Sequence, residues 1–140
     1  MTDRNLEGKV VVMTGAGRGM GKAMSTALAG AGAKVAMIDI DKDVLNEAAK
    51  LAENAGGPAS ARGFVCDVTD AGHAKATAEE IVATFGSLDV LVNDAVIGPE
   101  RISGFITKKS KFWELDDDLW NAMLRVNIFG PQLMAKICAP

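Results

Sequence analysis

Short apolar runs along the chain alternate with longer segments in which apolar residues recur every three or four positions. Four such runs predict strands that are buried in a sheet. They lie at residues 10–13, 35–38, 63–66 and 88–92. The intervening spacing predicts amphipathic helices at residues 20–31, 42–55 and 70–85, and a last helix at residues 116–138. Regular alternation of this kind is typical of an α/β fold, in which helices cover both faces of a parallel sheet.

Polar residues at the helix starts define the predicted boundaries. Asp41 is the predicted N-cap of the second helix, and Thr69 is that of the third. The residues predicted to face the core are Val44, Ala48, Leu51 and Ala55 in the second helix and Ile81 and Val82 in the third. Pro131 lies inside the last helix and has no backbone N–H, so a kink or a break is expected there.

Residues 96–111 show neither a helix period nor a strand period. The sequence therefore predicts a long loop, of the kind that is usually functional or mobile. The loop carries three lysines, Lys108, Lys109 and Lys111. They could meet an anionic substrate, but a solvated loop is the favoured interpretation.

Composition narrows the function mainly by exclusion. The chain has 140 residues, the size of one domain, and 15 Lys and Arg against 18 Asp and Glu give a net charge of −3. This mild acidity offers no basic surface for nucleic acid or for an anionic membrane. The apolar runs are too short to span a membrane and the first residues do not resemble a signal peptide, so a cytoplasmic protein is expected. Cys66, Cys138 and the single histidine, His73, lack the spacing of a metal site and are interpreted as structural residues.

A glycine-rich turn at residues 14–21 follows the first predicted strand and opens the first helix. The start of a helix carries unpaired N–H groups and a partial positive charge, which together attract a phosphate. Glycines allow the pyrophosphate of a dinucleotide to approach the backbone closely. Asp39 ends the second predicted strand, where its carboxylate can accept two hydrogen bonds from an adenosine ribose. A helix-capping or turn role is the alternative for Asp39.

The spacing of the glycine turn separates two groups of nucleotide-binding proteins. Gly15, Gly19 and Gly21 read TGxxxGxG and not the more general GxGxxG. Further motifs follow in order at residues 67–68, 93–96 and 120–130. Together they resemble the short-chain dehydrogenase/reductase family. The resemblance implies a Rossmann-type doubly wound parallel sheet, incomplete with about four strands and flanking helices, and a single dinucleotide-binding domain over residues 1–140.

The same resemblance implies NAD as the cofactor and assigns residues to each part of it. The glycine turn is implied to bind the pyrophosphate, and Asp39 is implied to bind the adenosine ribose. The stretch after the fourth strand is implied to bind the nicotinamide ribose. Asn127 matches the family's active-site asparagine, which supports a water in the proton relay. The implied cofactor-binding residues are Gly15, Arg18, Gly19, Met20, Gly21, Asp39, Ile40, Asp67, Val68, Asn93 and Ala95.

The chain departs from the family's pattern in two ways. Asp94 stands where the family has Asn and Val96 where it has Gly, both on the nicotinamide side of the implied site. The family's chemistry also uses a Ser, a Tyr and a Lys four residues after the Tyr, and this chain contains no tyrosine. The Lys matters because an unperturbed phenol has a pKa of about 10, too high for acid–base work near neutral pH.

We therefore expect the NAD-binding portion of an oxidoreductase that interconverts an alcohol and a carbonyl by hydride transfer, with the 140-residue chain inactive by itself. A truncated piece of a full-length enzyme is the favoured interpretation, and a natural, non-catalytic NAD-binding or scaffold module is the alternative. A methyltransferase is a third hypothesis, which the glycine spacing and the pair Asp67–Val68 disfavour. The expected partners are a small-molecule alcohol or carbonyl and a second copy of the chain. An open edge at the fourth strand predicts a homo-oligomer, as do the apolar residues Trp120, Met123, Leu124 and Phe129.

Overall fold

The computed structural model describes residues 5–98, 111–114 and 116–139. The strands are β1 (Val10–Thr14), β2 (Lys34–Asp39), β3 (Ala61–Val65) and β4 (Val90–Asn93). The helices are α1 (Gly19–Gly30), α2 (Lys42–Gly56), α3 (Ala71–Phe85), α4 (Asp117–Leu124) and α5 (Gly130–Cys138). A short 3-10 helix (Phe112–Glu114) precedes α4, and a π-helical segment (Arg125–Phe129) joins α4 to α5. The alternation of strands and helices is as predicted, with small shifts of the boundaries such as commonly occur.

The four strands form one parallel sheet in the order β3-β2-β1-β4. Val11 of β1 stands beside Val35 of β2 on one side and beside Val90 of β4 on the other. Within the described part of the chain, β4 pairs only with β1 and forms an edge of the sheet. The arrangement confirms the predicted doubly wound α/β fold with four strands.

The two faces of the sheet pack against different helices. Successive side chains of a strand point to opposite faces. Val11 and Met13 accordingly pack with apolar residues of α1 and α2, whereas Val10 and Val12 pack with residues of α3 and α5. All four of these β1 side chains are buried. Burial on both faces explains why β1 is apolar throughout and does not alternate with polar residues.

The carboxyl ends of the parallel strands meet at one edge of the sheet. Thr14, Asp39 and Asn93 end β1, β2 and β4, and Asp67 follows shortly after β3. The chain leaves β1 towards β2 and returns to the other side of β1 at β4, so a crevice opens between β1 and β4 at this edge. Ligands of open parallel sheets bind in such a crevice.

The predicted core face of α2 is right at Ala48, which is buried, and wrong at Leu51 and Ala55, which are exposed, because the buried face is rotated slightly around the helix. The buried residues are Leu45, Ala48 and Ala52, and Leu51 is 50% exposed. β3 makes room for Leu45 at Gly63, where a methyl group would lie 2.9 Å from Leu45 Cγ. The missing side chain of Gly63 therefore leaves space in the core for Leu45. In α3, Ile81 is buried as predicted, but Val82 is 44% exposed.

The structure confirms one predicted helix cap and corrects another. Asp41 caps α2, since its side chain accepts hydrogen bonds from the first-turn N–H groups of that helix. Asp70, and not Thr69, caps α3, because Asp70 Oδ1 accepts the N–H of His73 at 2.9 Å. The Thr69 hydroxyl is engaged elsewhere, donating to Asp67 Oδ1 at 2.8 Å.

The last helix continues past Pro131 but changes its hydrogen-bonding pattern just before it. The N–H of Gly130 donates to the carbonyl of Arg125, five residues earlier, which defines the π-helical segment. Pro131 has no N–H to give to the carbonyl of Asn127, four residues earlier, so the regular α-helical pattern is interrupted there. The expected kink or break thus takes the form of a π bulge.

The predicted loop at residues 96–111 lies mostly outside the described residues, and so do Lys108 and Lys109. Val96, Ile97 and Gly98 are described at its start, and Lys111 is described at its end, where it is exposed.

Candidate functional site

A cavity of about 730 Å³ opens at the carboxyl edge of the sheet. Small-molecule sites typically have volumes of roughly 300–1,000 Å³. The walls come from the glycine turn, the ends of β2 and β3, the segment after β4, and the helical residues around the end of α4. The lining residues are Gly15, Arg18, Gly19, Met20, Ile38, Asp39, Ile40, Cys66, Asp67, Val68, Thr69, Asp94, Ala95, Val96, Ile97, Ala122, Arg125 and Val126.

The glycine turn between β1 and α1 packs so closely that neighbouring backbone atoms leave no room for a side chain at Gly15 and Gly21. Gly15 has a φ of +68°, and a methyl group on it would lie 2.8 Å from the Cα of Ala95. A methyl group on Gly21 would collide with the carbonyl oxygen of Gly15. The N–H of Ala16 anchors the turn to β2 by donating to the carbonyl of Ile38 at 2.9 Å. These contacts hold the start of α1 against the ends of β1, β2 and β4.

The start of α1 forms part of the cavity wall. Arg18 is the N-cap residue, and Gly19 and Met20 begin the helix and line the cavity. The N–H of Lys22 donates to the carbonyl of Arg18 at 3.2 Å. The N–H groups before it have no partners within a helix, and the helix adds partial positive charge at the same end. The first turn of α1 itself contains no acidic residue, and its N–H groups and partial positive charge suit an anion such as a pyrophosphate.

Asp39, at the end of β2, joins the glycine turn to the turn before α2. Its Oδ2 accepts the N–H of Gly17 at 2.9 Å, and its Oδ1 accepts the N–H of Asp41 at 3.1 Å. Asp39 therefore does have the turn role that the sequence left as the alternative. An ionised carboxylate offers about four acceptor sites, so both oxygens can still accept hydroxyl groups from the cavity that Asp39 lines.

Arg18 reaches across the turn to α2. Its Nη2 lies 2.6 Å from Oδ2 of Asp41, and the two side chains are 53% and 43% exposed. The other carboxylate oxygen of Asp41 accepts the capping hydrogen bonds of α2. The guanidinium is thus held at the cavity wall by an acidic residue that is itself fixed to a helix.

Thr14, the last residue of β1, positions the segment that follows β4. Its buried Oγ1 accepts the N–H groups of Asp94 and Ala95, each at 3.1 Å. It also lies 3.5 Å from the carbonyl oxygen of Val92, to which its hydroxyl donates. No role is predicted for Thr14 from the sequence. The feature of the sequence that could have indicated this role is the position of Thr14 as the first residue of TGxxxGxG.

The end of β3 supplies a fixed carboxylate and an apolar surface. Asp67 Oδ1 accepts both the N–H and the hydroxyl of Thr69, each at 2.8 Å. Val68 is buried against α5, where a methyl group on Gly130 would lie 2.9 Å from Val68 Cγ2. Burial raises the pKa of the Cys66 thiol, which therefore stays protonated at neutral pH. This part of the wall can accept a hydrogen bond at Asp67 and offers an apolar surface at Val68.

Asn127 fixes the segment after β4 through both ends of its side-chain amide. Its Oδ1 accepts the N–H of Ile97 at 2.9 Å, and its Nδ2 donates to the carbonyl of Ile97, also at 2.9 Å. Asn127 lies in the π-helical segment. The hydrogen-bonding pattern before Pro131 therefore helps to position the cavity wall at Ile97. The side chain positions this wall, and a role of Asn127 in a proton relay stays a prediction.

The two departures from the family's pattern lie in the same wall. Asp94 brings a carboxylate to the start of α1, since a methyl group on Gly21 would lie 2.9 Å from Asp94 Oδ2. A negative charge is favourable at a helix start, but it repels a bound pyrophosphate. Val96 is 64% exposed and lines the cavity. Both residues therefore face the cavity and not the core.

The cavity brings together all the predicted cofactor-binding residues except Gly21 and Asn93. Gly21 lies directly behind Gly15 in the turn, and Asn93 is the exposed last residue of β4. Asn127 reaches the wall through Ile97. The lining residues that the sequence does not predict include Ala122, Arg125 and Val126, for which the spacing of the last helix gives no signal. The roles of the individual residues in binding remain predictions.

Two further findings concern the described residues alone. They contain no group of three or more His, Cys, Asp and Glu side chains that could hold a metal ion. None of their helices combines the length and the apolar character needed to cross a membrane.

Comparison with known proteins connects this site to one family. Residues 9–140 match the family described as short chain dehydrogenase. D-Threitol dehydrogenase of Mycolicibacterium smegmatis is 37% identical over 135 residues, which cover 96% of this chain and 47% of that protein. A metagenomic short-chain oxidoreductase, solved in complex with NADP, has a TM-score of 0.83 at 31% identity, over 96% of this chain and 57% of that one. NAD⁺-bound xylitol dehydrogenase has a TM-score of 0.79 at 27% identity, over 96% of this chain and 48% of that one.

Because the match spans nearly the whole chain, the protein belongs to the short-chain dehydrogenase family, as its motifs predict. The chain spans about half the length of the curated relatives it matches. The two solved structures hold different cofactors, NADP and NAD⁺. Membership of the family therefore indicates a nicotinamide dinucleotide but does not decide between the two.

Proposed function

We propose that this chain is the NAD-binding portion of a cytoplasmic oxidoreductase that interconverts a small-molecule alcohol and a carbonyl. One observation carries the proposal: the glycine turn at the start of α1 and the carboxylate of Asp39 line the same cavity and are hydrogen-bonded to each other. A helix start suits a pyrophosphate, and a neighbouring carboxylate suits ribose hydroxyl groups. A single adenine dinucleotide would satisfy both.

The residues present fit the adenosine half of NAD. Apart from the adjacent backbone of the turn and of α1, no atom of the described residues lies within 4 Å of the place where a side chain on Gly19 would begin, so a phosphate can approach the backbone of the turn there. Asp39 retains acceptor sites for the ribose. Ile40 is largely exposed, Val68 is buried, and both line the cavity, so each offers an apolar surface suited to an adenine ring.

When bound, NAD would supply the hydride chemistry, and the chain's own residues would bind and orient it. In the proposed assignment, the first N–H groups of α1 hold the pyrophosphate and Asp67 accepts a hydrogen bond from adenine. Ala95 lines the nicotinamide end, where Thr14 and Asn127 hold the wall in place. The binding surface on that side thus depends on two positioning residues.

The unmodified protein is expected to bind NAD roughly tenfold to several hundredfold more tightly than NADP, and Asp39→Ala is expected to remove most of this preference. A 2′-phosphate would place like charges within about 4 Å of the carboxylate, which costs about 1 kcal/mol in water and more at a lower effective dielectric. Fluorescence titration or calorimetry with both cofactors measures the two dissociation constants.

Asp43→Ala is the matched control for this experiment. Asp43 is an exposed acidic residue in the first turn of α2 and does not line the cavity. Its removal changes the net charge by the same amount and is expected to leave the ratio of the two dissociation constants unchanged. Tighter binding of NADP by the unmodified protein, or an Asp39→Ala variant with the same preference, would contradict the assignment.

We also propose that the chain pairs with a second copy through the exposed face of its last helices. Trp120, Leu124 and Phe129 are between 43% and 52% exposed, and β4 lies at the sheet edge among the described strands. Exposed apolar side chains and an unpaired strand edge both favour association.

Leu124→Glu is expected to raise the dissociation constant of this dimer about tenfold, because it replaces a half-buried apolar contact with a charge. Leu51→Glu is the control, since Leu51 is a leucine of nearly equal exposure, 50% against 52%, on α2. Sedimentation velocity over a range of concentrations measures both variants. A protein that stays monomeric at the highest concentration, or that responds equally to both substitutions, would refute the proposed pairing face.

A further inference from the structure

Arg18 is a cation in the cavity wall, next to the place proposed for the adenosine ribose. A free guanidinium there would attract a 2′-phosphate, because arginine binds phosphate through a planar fork of donors. In this chain, however, Arg18 Nη2 lies 2.6 Å from Asp41 Oδ2. The guanidinium is therefore already engaged by a carboxylate of its own chain.

Asp41 is well placed to hold Arg18 because its carboxylate is fixed from the other side. Its Oδ1 accepts the N–H groups of Asp43 and Val44 at 3.2 and 3.4 Å. Its own N–H donates to Asp39 Oδ1 at 3.1 Å. One partner of the ion pair is thus oriented before the pair forms, which reduces the loss of side-chain entropy that weakens most exposed pairs.

We propose that Asp41 is a positioning residue for cofactor choice, which holds Arg18 away from a 2′-phosphate and so strengthens the preference for NAD. This inference rests on the proposed function and deepens it. The two acidic residues act differently. Asp39 would repel a 2′-phosphate directly, whereas Asp41 pairs with the Arg18 guanidinium, which would otherwise attract that phosphate. The effect of Asp41 therefore depends on the presence of Arg18.

The test measures the dissociation constants of NAD and NADP for the natural polypeptide that contains this chain. Four forms are compared: unmodified, Asp41→Asn, Arg18→Gln and the double variant. Asparagine can still cap α2 through its side-chain oxygen but carries no charge. We expect Asp41→Asn to lower the dissociation constant of NADP about two- to fivefold, the size of an exposed ion pair, and to change that of NAD by less than about twofold.

In the Arg18→Gln background, Asp41→Asn is expected to have a smaller effect on NADP, because no guanidinium is released. An equal gain in both backgrounds would overturn the inference, since Asp41 would then act only through its own charge. An unchanged NADP affinity in Asp41→Asn would also overturn it, provided that the melting temperature is unchanged. Asp41→Ala removes the helix cap as well as the charge and is expected to lower the melting temperature. Comparing it with Asp41→Asn separates the effect of a lost cap from the effect of the lost charge.

The outcomes also separate this inference from the function on which it rests. If neither dinucleotide binds the unmodified protein, the proposed function fails and the role of Asp41 fails with it. If NAD binds with the expected preference but the effect of Asp41 is independent of Arg18, only the role of Asp41 is lost.

Discussion

Replacing Gly21 with alanine is expected to lower the free energy of unfolding by about 3 kcal/mol, at the upper end of the usual range for an added methyl group in a closely packed region. The new methyl group would collide with the carbonyl oxygen of Gly15 and lie 2.9 Å from Asp94 Oδ2. The first of these neighbours is backbone and cannot rotate away. Denaturation with urea measures the change, and NAD binding is expected to weaken as well because the glycine turn must open.

Gly30→Ala provides a matched control at the other end of the same helix. Outside its own helix, the atom nearest to its new methyl group would be the carbonyl oxygen of Ala55, at 3.9 Å, which is an ordinary contact. Alanine also favours a helix over glycine by roughly 0.5–1 kcal/mol. Gly30→Ala is therefore expected to leave the stability unchanged or to raise it. Equal stabilities of the two variants would show that the turn is not as tightly packed as the structure has it.

The sheet and the glycine turn could be predicted because their constraints act over short stretches of chain. β1 must be buried on both faces, so its residues are apolar without alternation. The turn needs glycine where backbone meets backbone, at Gly15 and Gly21, and where φ is positive, at Gly15 and Gly19, and these requirements are visible as TGxxxGxG. Asp41 could be identified as a cap because the hydrogen bonds that it accepts come from residues two and three positions later.

The core face of α2 could not be predicted because it depends on a different element. Val44 and Leu45 are both apolar, and the spacing within the helix supports either of them. Leu45 is the one that packs at Gly63, whose bare Cα leaves space in β3 for that side chain. Sequence alone does not place Gly63 opposite Leu45, because that pairing exists only after the sheet has formed.

The contacts that shape the cavity were beyond sequence prediction for a similar reason. Arg18 and Asp41 are 23 residues apart, and Asn127 and Ile97 are 30 residues apart. Arg18 in a glycine turn suggests an attraction for phosphate, and only the geometry reveals that an acidic residue engages it. The family motif identifies Asn127, but the two hydrogen bonds that tie it to Ile97 follow from the π-helical segment that carries it.

The purified 140-residue polypeptide is expected to catalyse alcohol oxidation at least about 10²–10⁴-fold more slowly than typical dehydrogenases of its family, even where it binds NAD. That factor is the usual contribution of a positioned general acid or base. The family's proton transfer uses a tyrosine, and the chain has none. His73 is exposed on α3 and does not line the cavity, so it offers no substitute.

Asn127 cannot replace the tyrosine either. A carboxamide does not titrate near neutral pH, and both ends of this one are bonded to Ile97. The measurement follows NADH absorbance with a panel of alcohols, using protein whose NAD binding has been verified. The positive control is a longer polypeptide of the same reading frame that also contains a serine and a YxxxK sequence. This longer polypeptide is expected to be active. Ordinary turnover by the 140-residue chain would contradict the prediction, whereas NAD binding without turnover in the longer polypeptide would favour the non-catalytic alternative.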